Sequence, residues 1–225
     1  MAEKKKSLVI YGLGSFAKLM SYYFTTDSDY DVVAFCADEA YIESSVFDGL
    51  PVIPFTRLKD EFGKDEVCLF VAVGYSSMRA RDEMFKRAKM SGYRLVNYVS
   101  SKATVDSSLS MGVNNAVFQG ACIEPFCAIG DNNIIWSSVT VCHDVIIKQN
   151  VFLASSTVVG GFSVIEEGSF LGFRTTVTSK VVIGKESLVG AGSLVLKNTE
   201  PYSKNIGTPA RHVDSHYSEG VRVNE

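Results

Sequence analysis

Apolar residues follow two different spacings along this chain, one in each half. In residues 1–100, short apolar runs alternate with stretches whose apolar residues recur every three or four positions, as one face of a helix requires. The runs are SLVIY, DVVAFCAD, EVCLFVAVG and YRLVNYV, and helix-like stretches follow the first and the third. Strand and helix in alternation predict a small parallel sheet with helices on its faces.

The second half has a period of six residues. Sixteen consecutive positions spaced six residues apart, from Val105 to Val195, are all occupied by an aliphatic residue or Met. The position two residues before each of them is mostly small or β-branched, and the position after it is often Gly, Ala or an acid. This period is typical of a parallel β-helix, in which each hexad is a short strand and a turn with one aliphatic residue pointing inward. A β-sandwich would instead alternate with a period of two.

The two spacings predict an α/β unit followed by an all-β unit. We expect a small Rossmann-like domain over residues 1–100, a parallel β-helix of about five coils over 101–200, and a C-terminal tail over 201–225. Three hexads close one triangular coil, so residues about 18 apart lie above one another on the same edge. Gly161 therefore lies one coil from His143, and Pro125 lies on the coil on the other side.

Composition removes several classes of function. The chain has 225 residues, 46% of them hydrophobic, and a net charge of -3, which excludes a disordered chain and gives no overall attraction to nucleic acid. The apolar runs are too short for a transmembrane helix or a signal peptide. The five cysteines are odd in number and form no CxxC pair, so we expect free thiols in a cytoplasmic protein and no metal site.

The segment VTVCHDVIIK holds the only histidine in the first 211 residues, His143. Because an ordinary histidine titrates near pH 6.5, it suits a general base. The neighbouring Asp144 can orient the imidazole as a carboxylate does in a catalytic triad. Adjacent strand residues point to opposite faces, so this pairing requires that both lie at a corner of the coil. His212 and His216 lie in the tail, where a solvated pair is the simpler interpretation.

The first apolar run leads into GLGSFA, which fits G-x-G-x-x-A, a turn that cradles phosphate and opens a helix. Its candidate ligand-binding residues are Gly12, Gly14, Ser15 and Phe16. Asp38 closes the second run, 24 residues after Gly14, where an acid can bond a ribose or a base. A purely structural glycine turn remains the alternative. An NAD-dependent oxidoreductase is disfavoured because a hundred residues are too few for a complete dinucleotide domain.

These motifs together resemble a known family. The hexapeptide array, with CHDVII within it and IGKESLVGAGSLVLKNTEPYSKNIGTPAR closing it, resembles the left-handed β-helix acyltransferases. With YGLGSFAK it is similar to the group that contains the sialic acid O-acetyltransferases and the UDP-4-amino-sugar N-acetyltransferases. The resemblance implies a left-handed coil and a homotrimer with acetyl-CoA between neighbouring prisms. It also implies a nucleotide-sugar bound by the N-terminal domain, with Gly74 of VAVGYSS lining that pocket.

The resemblance also implies roles for residues of the coil. His143 is the catalytic base, followed by its acid, and the Gly161 amide binds the oxyanion. The main chain of Phe173 and Ala191 contacts pantetheine. Lys197 and Arg211 are candidates for the CoA phosphates as cations near the end of the array, although solvated surface charge is equally consistent with each alone.

One position departs from the family pattern. The amino-sugar N-acetyltransferases often carry a second histidine nine residues after the first, near the acceptor, and here that position is Phe152. The acceptor then differs, for example by presenting a hydroxyl, or another residue takes the role. Trp136, the only tryptophan, either stacks on a sugar face or packs between subunits.

The sequence thus predicts an acetyl-CoA-dependent acetyltransferase for a nucleotide-linked sugar or amino sugar in bacterial surface-glycan (lipopolysaccharide) biosynthesis. The alternatives are an O-acetyltransferase of a sugar without a nucleotide, and a non-catalytic trimer that binds nucleotide-sugars. The sequence leaves open which sugar is the acceptor, whether nitrogen or oxygen is acetylated, and which acyl group is transferred.

Overall fold

The computed structural model describes residues 5–217 and 219–223 and divides into two compact units. The N-terminal unit consists of the chain up to Gly74 together with Glu83–Tyr98. The second unit consists of Tyr75–Asp82 together with the chain from Val99 onward. Within the described part of the chain, no helix is both long and apolar enough to cross a membrane.

A mostly parallel sheet forms the N-terminal unit, as the alternating pattern predicts. Its elements are β1 (Lys6–Tyr11), α1 (Ser15–Thr26), β2 (Tyr30–Ala37), β3 (Val46–Phe47), β4 (Leu50–Pro54), α2 (Leu58–Glu61), β5 (Cys68–Val71), the part of α3 (Met78–Ser91) from Glu83 onward and β6 (Arg94–Leu95), with 3₁₀ turns at Glu39–Tyr41 and Phe55–Arg57. The strand order is β3-β4-β2-β1-β5-β6, and only the β3–β4 hairpin is antiparallel. β1 lies between β2 and β5 with Leu8 to Tyr11 fully buried, which explains its continuous apolar run.

The run YRLVNYV was expected to be one strand and forms two. Leu95 pairs with Leu69 of β5, as a strand of the N-terminal sheet does. The Ser100 N–H already donates to the Val117 carbonyl, as part of the first coil. Two partners in two different sheets require a break in the strand, which falls after β6.

The second unit is a coil of two-residue strands. They are β7 (Tyr98–Val99), β8 (Thr104–Val105), β9 (Ser110–Met111), β10 (Ala116–Val117), β11 (Cys122–Ile123), β12 (Ala128–Ile129), β13 (Ile134–Ile135), β14 (Thr140–Val141), β15 (Ile146–Ile147), β16 (Phe152–Leu153), β17 (Val158–Val159), β18 (Val164–Ile165), β19 (Phe170–Leu171), β20 (Thr176–Val177), β21 (Val182–Ile183), β22 (Leu188–Val189) and β23 (Leu194–Val195), followed by the hairpin of β24 (Ser203–Gly207) and β25 (Ala210–Ser215). Strands 18 residues apart pair in parallel, as Val141 does with Val159.

The coil has three faces. The first face contains β7, β10, β13, β16, β19 and β22 and is extended by β24 and β25. The second face contains β8, β11, β14, β17, β20 and β23, and the third contains β9, β12, β15, β18 and β21. Fourteen of the sixteen residues of the six-residue pattern are buried in one apolar core, and the other two, Val105 and Met111, pack against it partly buried. The predicted β-helix and its inward positions are confirmed.

Each corner of the coil is a tight turn with a left-handed residue. From position 114 to position 192, every sixth residue has a positive φ. Gly and Asn tolerate this conformation, and they occupy it at six of these corners, namely Asn114, Gly120, Asn132, Asn150, Gly168 and Gly192. Bulky residues adopt it rarely, yet Phe126 and Phe162 have φ of 65° and 61°.

Candidate active site

His143 and Asp144 form the turn between β14 and β15, at the corner of the second and third faces. Asp144 is the left-handed residue of this turn, with φ of 58°. The turn places both side chains on one side of the chain, and His143 Nδ1 lies 3.0 Å from Asp144 Oδ2. A neutral imidazole that donates Nδ1–H to this carboxylate keeps a lone pair on Nε2. The His143 side chain is 50% exposed, so this lone pair is accessible to a substrate.

Gly161 lies directly against the imidazole, one coil further on. A Cβ on Gly161 would lie 3.0 Å from Cε1 and 3.1 Å from Nε2 of His143, closer than carbon atoms normally approach. The backbone ladder uses the N–H of Gly160 and the N–H of Phe162, which donates to the His143 carbonyl. Among the described residues the Gly161 N–H has no acceptor. The residue that packs against the His143 ring therefore keeps a main-chain N–H available as a hydrogen-bond donor.

Two exposed aromatic side chains flank the His143–Asp144 pair. Phe126 and Phe162 occupy the same corner position as Asp144 on the preceding and following coils and are 70% and 52% exposed. The Phe162 ring meets the imidazole edge-on, with ring centroids 5.1 Å apart. The sequence analysis missed both residues. The signal was there, because each is a bulky residue at a corner position that favours Gly or Asn.

A mainly apolar cavity of about 560 Å³ lies at a different corner, between the first and second faces. Its lining residues are Tyr75, Trp136, Phe152, Ser155, Phe170, Gly172, Phe173, Leu188, Val189, Gly190, Ala191 and Val223. This set includes four of the predicted binding residues, namely Trp136, Phe152, Phe173 and Ala191. We call this space the aromatic cavity. A Cβ on Gly172 would lie 2.6 Å from the Ala191 N atom, so the coils leave no room for a side chain there.

Aromatic stacking fixes the walls of the aromatic cavity. The Trp136 ring stacks on Phe118 at 4.4 Å, so one face of the indole is already covered. Phe152 stacks on Phe170 at 4.8 Å and is only 3% exposed. Phe152 therefore packs within an aromatic cluster.

Lys197 and Arg211 line a further cavity, of about 510 Å³, at the C-terminal end of the coil. Arg211 belongs to β25 and Lys197 follows β23, so the hairpin brings together two cations that are 14 residues apart in the sequence. His212 and Glu200 line the same cavity. Two exposed cations in one concave site suit a phosphate group.

In the coil of one chain, the predicted residues are thus divided among three places. The pair His143–Asp144 and Gly161 share one corner. Phe173 and Ala191 lie at another corner, in the aromatic cavity. Lys197 and Arg211 lie in the terminal cavity.

The predicted nucleotide-binding residues gather at one edge of the N-terminal sheet. Gly12, Asp38 and Gly74 follow β1, β2 and β5, at the carboxyl ends of parallel strands. The strand order changes direction between β1 and β5, and ligands of open α/β sheets bind at such a switch point. Gly12 has φ of 142°, and a Cβ there would lie 2.4 Å from the Ala72 carbonyl oxygen. Gly14 precedes Ser15 and Phe16 at the start of α1 and leaves the helix N-terminus without a side-chain cap.

Asp38 already has two partners in the N-terminal unit. The Tyr11 hydroxyl donates to it at 2.6 Å, and Arg87 donates two hydrogen bonds at 3.1 and 2.8 Å. Partial burial opposes ionisation of the Asp38 carboxyl, but the hydrogen bonds from Arg87 and Tyr11 outweigh it and lower its pKa. The edge of the sheet therefore offers a carboxylate and a guanidinium side by side, and the sequence analysis did not identify Arg87.

Known proteins resemble this chain both in its N-terminal part and over nearly its whole length. Residues 7–88 match the PglD N-terminal domain family. A histidine-to-asparagine variant of perosamine N-acetyltransferase from Caulobacter crescentus, in complex with CoA and GDP-perosamine, is 27% identical, with a TM-score of 0.83 over 93% of this chain and 97% of that one. A search of curated proteins finds no significant match.

Two more distant structures share the fold. The acetyltransferase domain of PglB from Neisseria gonorrhoeae, in complex with acetyl coenzyme A, is 22% identical with a TM-score of 0.82 over 93% of this chain and all of that one. WeeI from Acinetobacter baumannii is 20% identical, with a TM-score of 0.78 over 93% of this chain and 100% of that chain. These likenesses, with the three stacked sheets, confirm the predicted Rossmann-like domain and left-handed β-helix.

The fold and these likenesses define an acyltransferase of the left-handed β-helix class. Within that class the chain is similar to the hexapeptide-repeat sugar acetyltransferases, and its residues 7–88 match the PglD N-terminal domain. In the described ranges, no group of three or more His, Cys, Asp or Glu residues is arranged to hold a metal ion.

Proposed function

We propose that this protein transfers the acetyl group of acetyl-CoA to the amine of a nucleotide-linked amino sugar, with His143 as the general base. The observation that carries the proposal is the contact of one imidazole with Asp144 at Nδ1 and with Gly161 beside Nε2. Acetyl transfer needs a base for the acceptor and a donor for the oxyanion, and this corner offers both. The choice of an amine is supported by the similarity to perosamine N-acetyltransferase.

The reaction uses each of these groups once. The acceptor nitrogen attacks the thioester carbon, and its proton passes to His143 Nε2. The Gly161 N–H donates a hydrogen bond to the oxyanion of the tetrahedral intermediate. The carbon–sulfur bond then breaks, and the CoA thiolate takes the proton from the imidazolium. Asp144 keeps the ring in the required tautomer and stabilises its positive charge meanwhile.

The CoA site is completed by a neighbouring copy of the chain in a homotrimer. The residues proposed to contact pantetheine, Phe173 and Ala191, lie at a different corner from His143 in one chain, so a second copy has to supply them. Exposed aromatic residues at both corners support this assembly, since Phe173 is 60% exposed and Phe126 and Phe162 flank the histidine. Lys197 and Arg211 bind the CoA phosphates in the terminal cavity.

The acceptor nucleotide is bound by the N-terminal unit. Phosphates suit the N-terminus of α1 after Gly14, which has no side-chain cap and where the helix dipole favours an anion. Asp38 follows the adjacent strand, β2, and together with its partner Arg87 of α3 it recognises the ribose or base. The product serves the synthesis of a bacterial surface glycan in the cytoplasm.

An activity panel tests this function. The purified protein is incubated with acetyl-CoA and the 4-amino-sugar derivatives of UDP, dTDP, GDP and CMP, together with the matching 4-hydroxy sugars. We expect thiol release and the mass gain of one acetyl group with at least one amino sugar. Turnover of hydroxy sugars alone would show O-acetylation, and binding without turnover would show a non-catalytic protein; either result contradicts the proposal.

Removal of either cation in the terminal cavity should weaken acetyl-CoA binding. We expect Lys197→Ala or Arg211→Ala to raise KM for acetyl-CoA about fivefold and to leave kcat nearly unchanged, because each loses one charge-assisted contact to phosphate. Steady-state kinetics at low and high salt check this, since added salt should reduce the difference. Lys102→Ala, an exposed lysine near the start of the coil, is the control. Unchanged KM in both variants would place the phosphates elsewhere.

Substitution of Asp38 should weaken binding of the nucleotide-sugar and leave binding of acetyl-CoA unchanged. We expect Asp38→Ala to raise KM for the nucleotide-sugar about tenfold, because a lost charge-assisted contact costs on the order of 1–3 kcal/mol. KM for acetyl-CoA should stay constant. Tyr11→Phe, which removes one hydrogen bond to Asp38 without changing its charge, is the control for local disorder. Equal changes in both KM values would argue against a nucleotide-binding role.

A further inference from the structure

The main-chain N–H of His143 is held by a side chain from the preceding coil. It donates to Glu124 Oε2 at 2.9 Å. The regular ladder between coils uses the N–H groups of its neighbours instead, since Cys142 donates to Val159 and Asp144 donates to Pro125. The hydrogen bond to Glu124 is therefore not one of the main-chain hydrogen bonds that hold the coils together.

The position of Glu124 explains how it reaches this N–H. Glu124 follows the inward-pointing Ile123 of β11, and its own N–H donates to the Val141 carbonyl at 2.9 Å. Its main chain is thus fixed in the ladder directly above Cys142, the residue before the histidine. From there the partly exposed carboxylate extends over the start of the turn.

His143 consequently lies between two carboxylates, one on its ring and one on its main chain. The negative charges of these carboxylates affect two neighbouring cysteine thiols. Burial raises the pKa of the Cys142 thiol, and Glu124 raises it further. Burial also raises the pKa of Cys127, followed by the charges of Glu124 and Asp144. The carboxylates are therefore close enough to influence one corner together.

The orientation of the imidazole depends on the turn that carries it. The ring has to meet Asp144 at 3.0 Å while fitting over Gly161, where a Cβ would already be 3.0 Å away. A rotation of the peptide before His143 would move the ring out of one of these contacts. A hydrogen bond from that peptide to a fixed carboxylate opposes such a rotation.

We propose that Glu124 is a positioning residue for the acetyl transfer, which anchors the His143 peptide and so keeps the imidazole in contact with both Asp144 and Gly161. This inference rests on the proposed function of the same corner. Glu124 acts through the hydrogen bond that its carboxylate accepts, and it does not contact the reacting atoms.

Two substitutions separate the hydrogen bond from other effects. Glu124→Ala removes the acceptor, and Glu124→Gln keeps an oxygen that can accept the same N–H. We expect Glu124→Ala to lower kcat about tenfold with both KM values nearly unchanged, since a misplaced base affects the chemical step more than binding. Glu124→Gln should restore kcat to within about threefold of the wild type, because the neutral amide accepts a weaker bond than a carboxylate does.

The chain offers a matched control at another corner. Glu166 follows the inward Ile165 as Glu124 follows Ile123, and its N–H donates to the Ile183 carbonyl in the same ladder. Glu166→Ala thus removes the same side chain from the same hexad position, away from the histidine. Its kcat should equal that of the wild type, and thermal unfolding should show similar stability for all three variants.

Amide hydrogen exchange of His143, followed by NMR, tests the anchor without any turnover. We expect faster exchange in Glu124→Ala and near wild-type protection in Glu124→Gln. The positioning role is overturned by unchanged kcat in Glu124→Ala, by failure of Glu124→Gln to restore it, or by unchanged exchange. A wild-type protein that acetylates no amino sugar would instead refute the proposed function, and the exchange experiment would still decide whether Glu124 holds the peptide.

Discussion

Substitution of His143 by Ala is expected to lower kcat for acetyl transfer by about a thousandfold, with little change in either KM. The magnitude follows from the role of the group, because a positioned general base contributes roughly 10²–10⁴ to the rate. The fold should be unaffected, since the side chain is half exposed and makes its polar contact with Asp144, itself a partly exposed residue of the same turn. Initial rates of thiol release with the acceptor found in the panel would measure the effect.

His212→Ala is the matched control for this substitution. His212 is an exposed histidine of β25 that lines the terminal cavity. We expect at most a small increase in its KM for acetyl-CoA and an unchanged kcat. If His143→Ala kept more than about a tenth of the wild-type kcat, a role as general base would not hold.

Addition of a single methyl group at Gly161 is expected to lower kcat about a hundredfold. Gly161 lies outside the left-handed region, so the backbone accepts an alanine without strain. The new Cβ would meet Cε1 at 3.0 Å, Nε2 at 3.1 Å and the His143 carbonyl oxygen at 3.2 Å. The imidazole ring therefore has to move, and the added methyl group hinders the thioester from reaching the Gly161 N–H. The loss of one oxyanion donor lowers kcat by about 10²–10³.

Gly63→Ala controls for the general effect of adding a Cβ. It belongs to the N-terminal unit, and the nearest atoms to its new Cβ would be those of the flexible Glu66 side chain, at 3.3 Å. We expect wild-type kinetics for this variant. Wild-type kcat in Gly161→Ala would mean that the oxyanion is bound by another donor.

The β-helix could be predicted almost completely from the sequence. One inward residue per hexad repeats sixteen times, and each coil contacts only its neighbours, so a local pattern determines the stacking. In the N-terminal unit, the strands at one edge of the sheet were harder to predict from the sequence. The β3–β4 hairpin has strands of two and five residues, and Pro51 and Pro54 leave β4 without a continuous apolar run like those that identified the other strands.

The candidate site was predictable only as far as the same repeat reaches. The repeat places Gly161 one coil from His143, and the structure brings the two into contact. It could not indicate Glu124, whose reach to the His143 N–H depends on a side-chain conformation across two coils. Nor could it indicate that Arg87, on a helix, pairs with Asp38, at the end of a strand 49 residues earlier.

The sequence by itself determined the coil, its inward residues and the stacking of His143 over Gly161, because a six-residue period maps sequence separation directly onto position. The tertiary structure decided which of the functional residues meet. The left-handed turn at Asp144 makes its pairing with the histidine possible, and the three-faced prism places Phe173 and Ala191 at another corner. Contacts between side chains on different faces or elements depend on rotamers and corner geometry, which no linear spacing specifies.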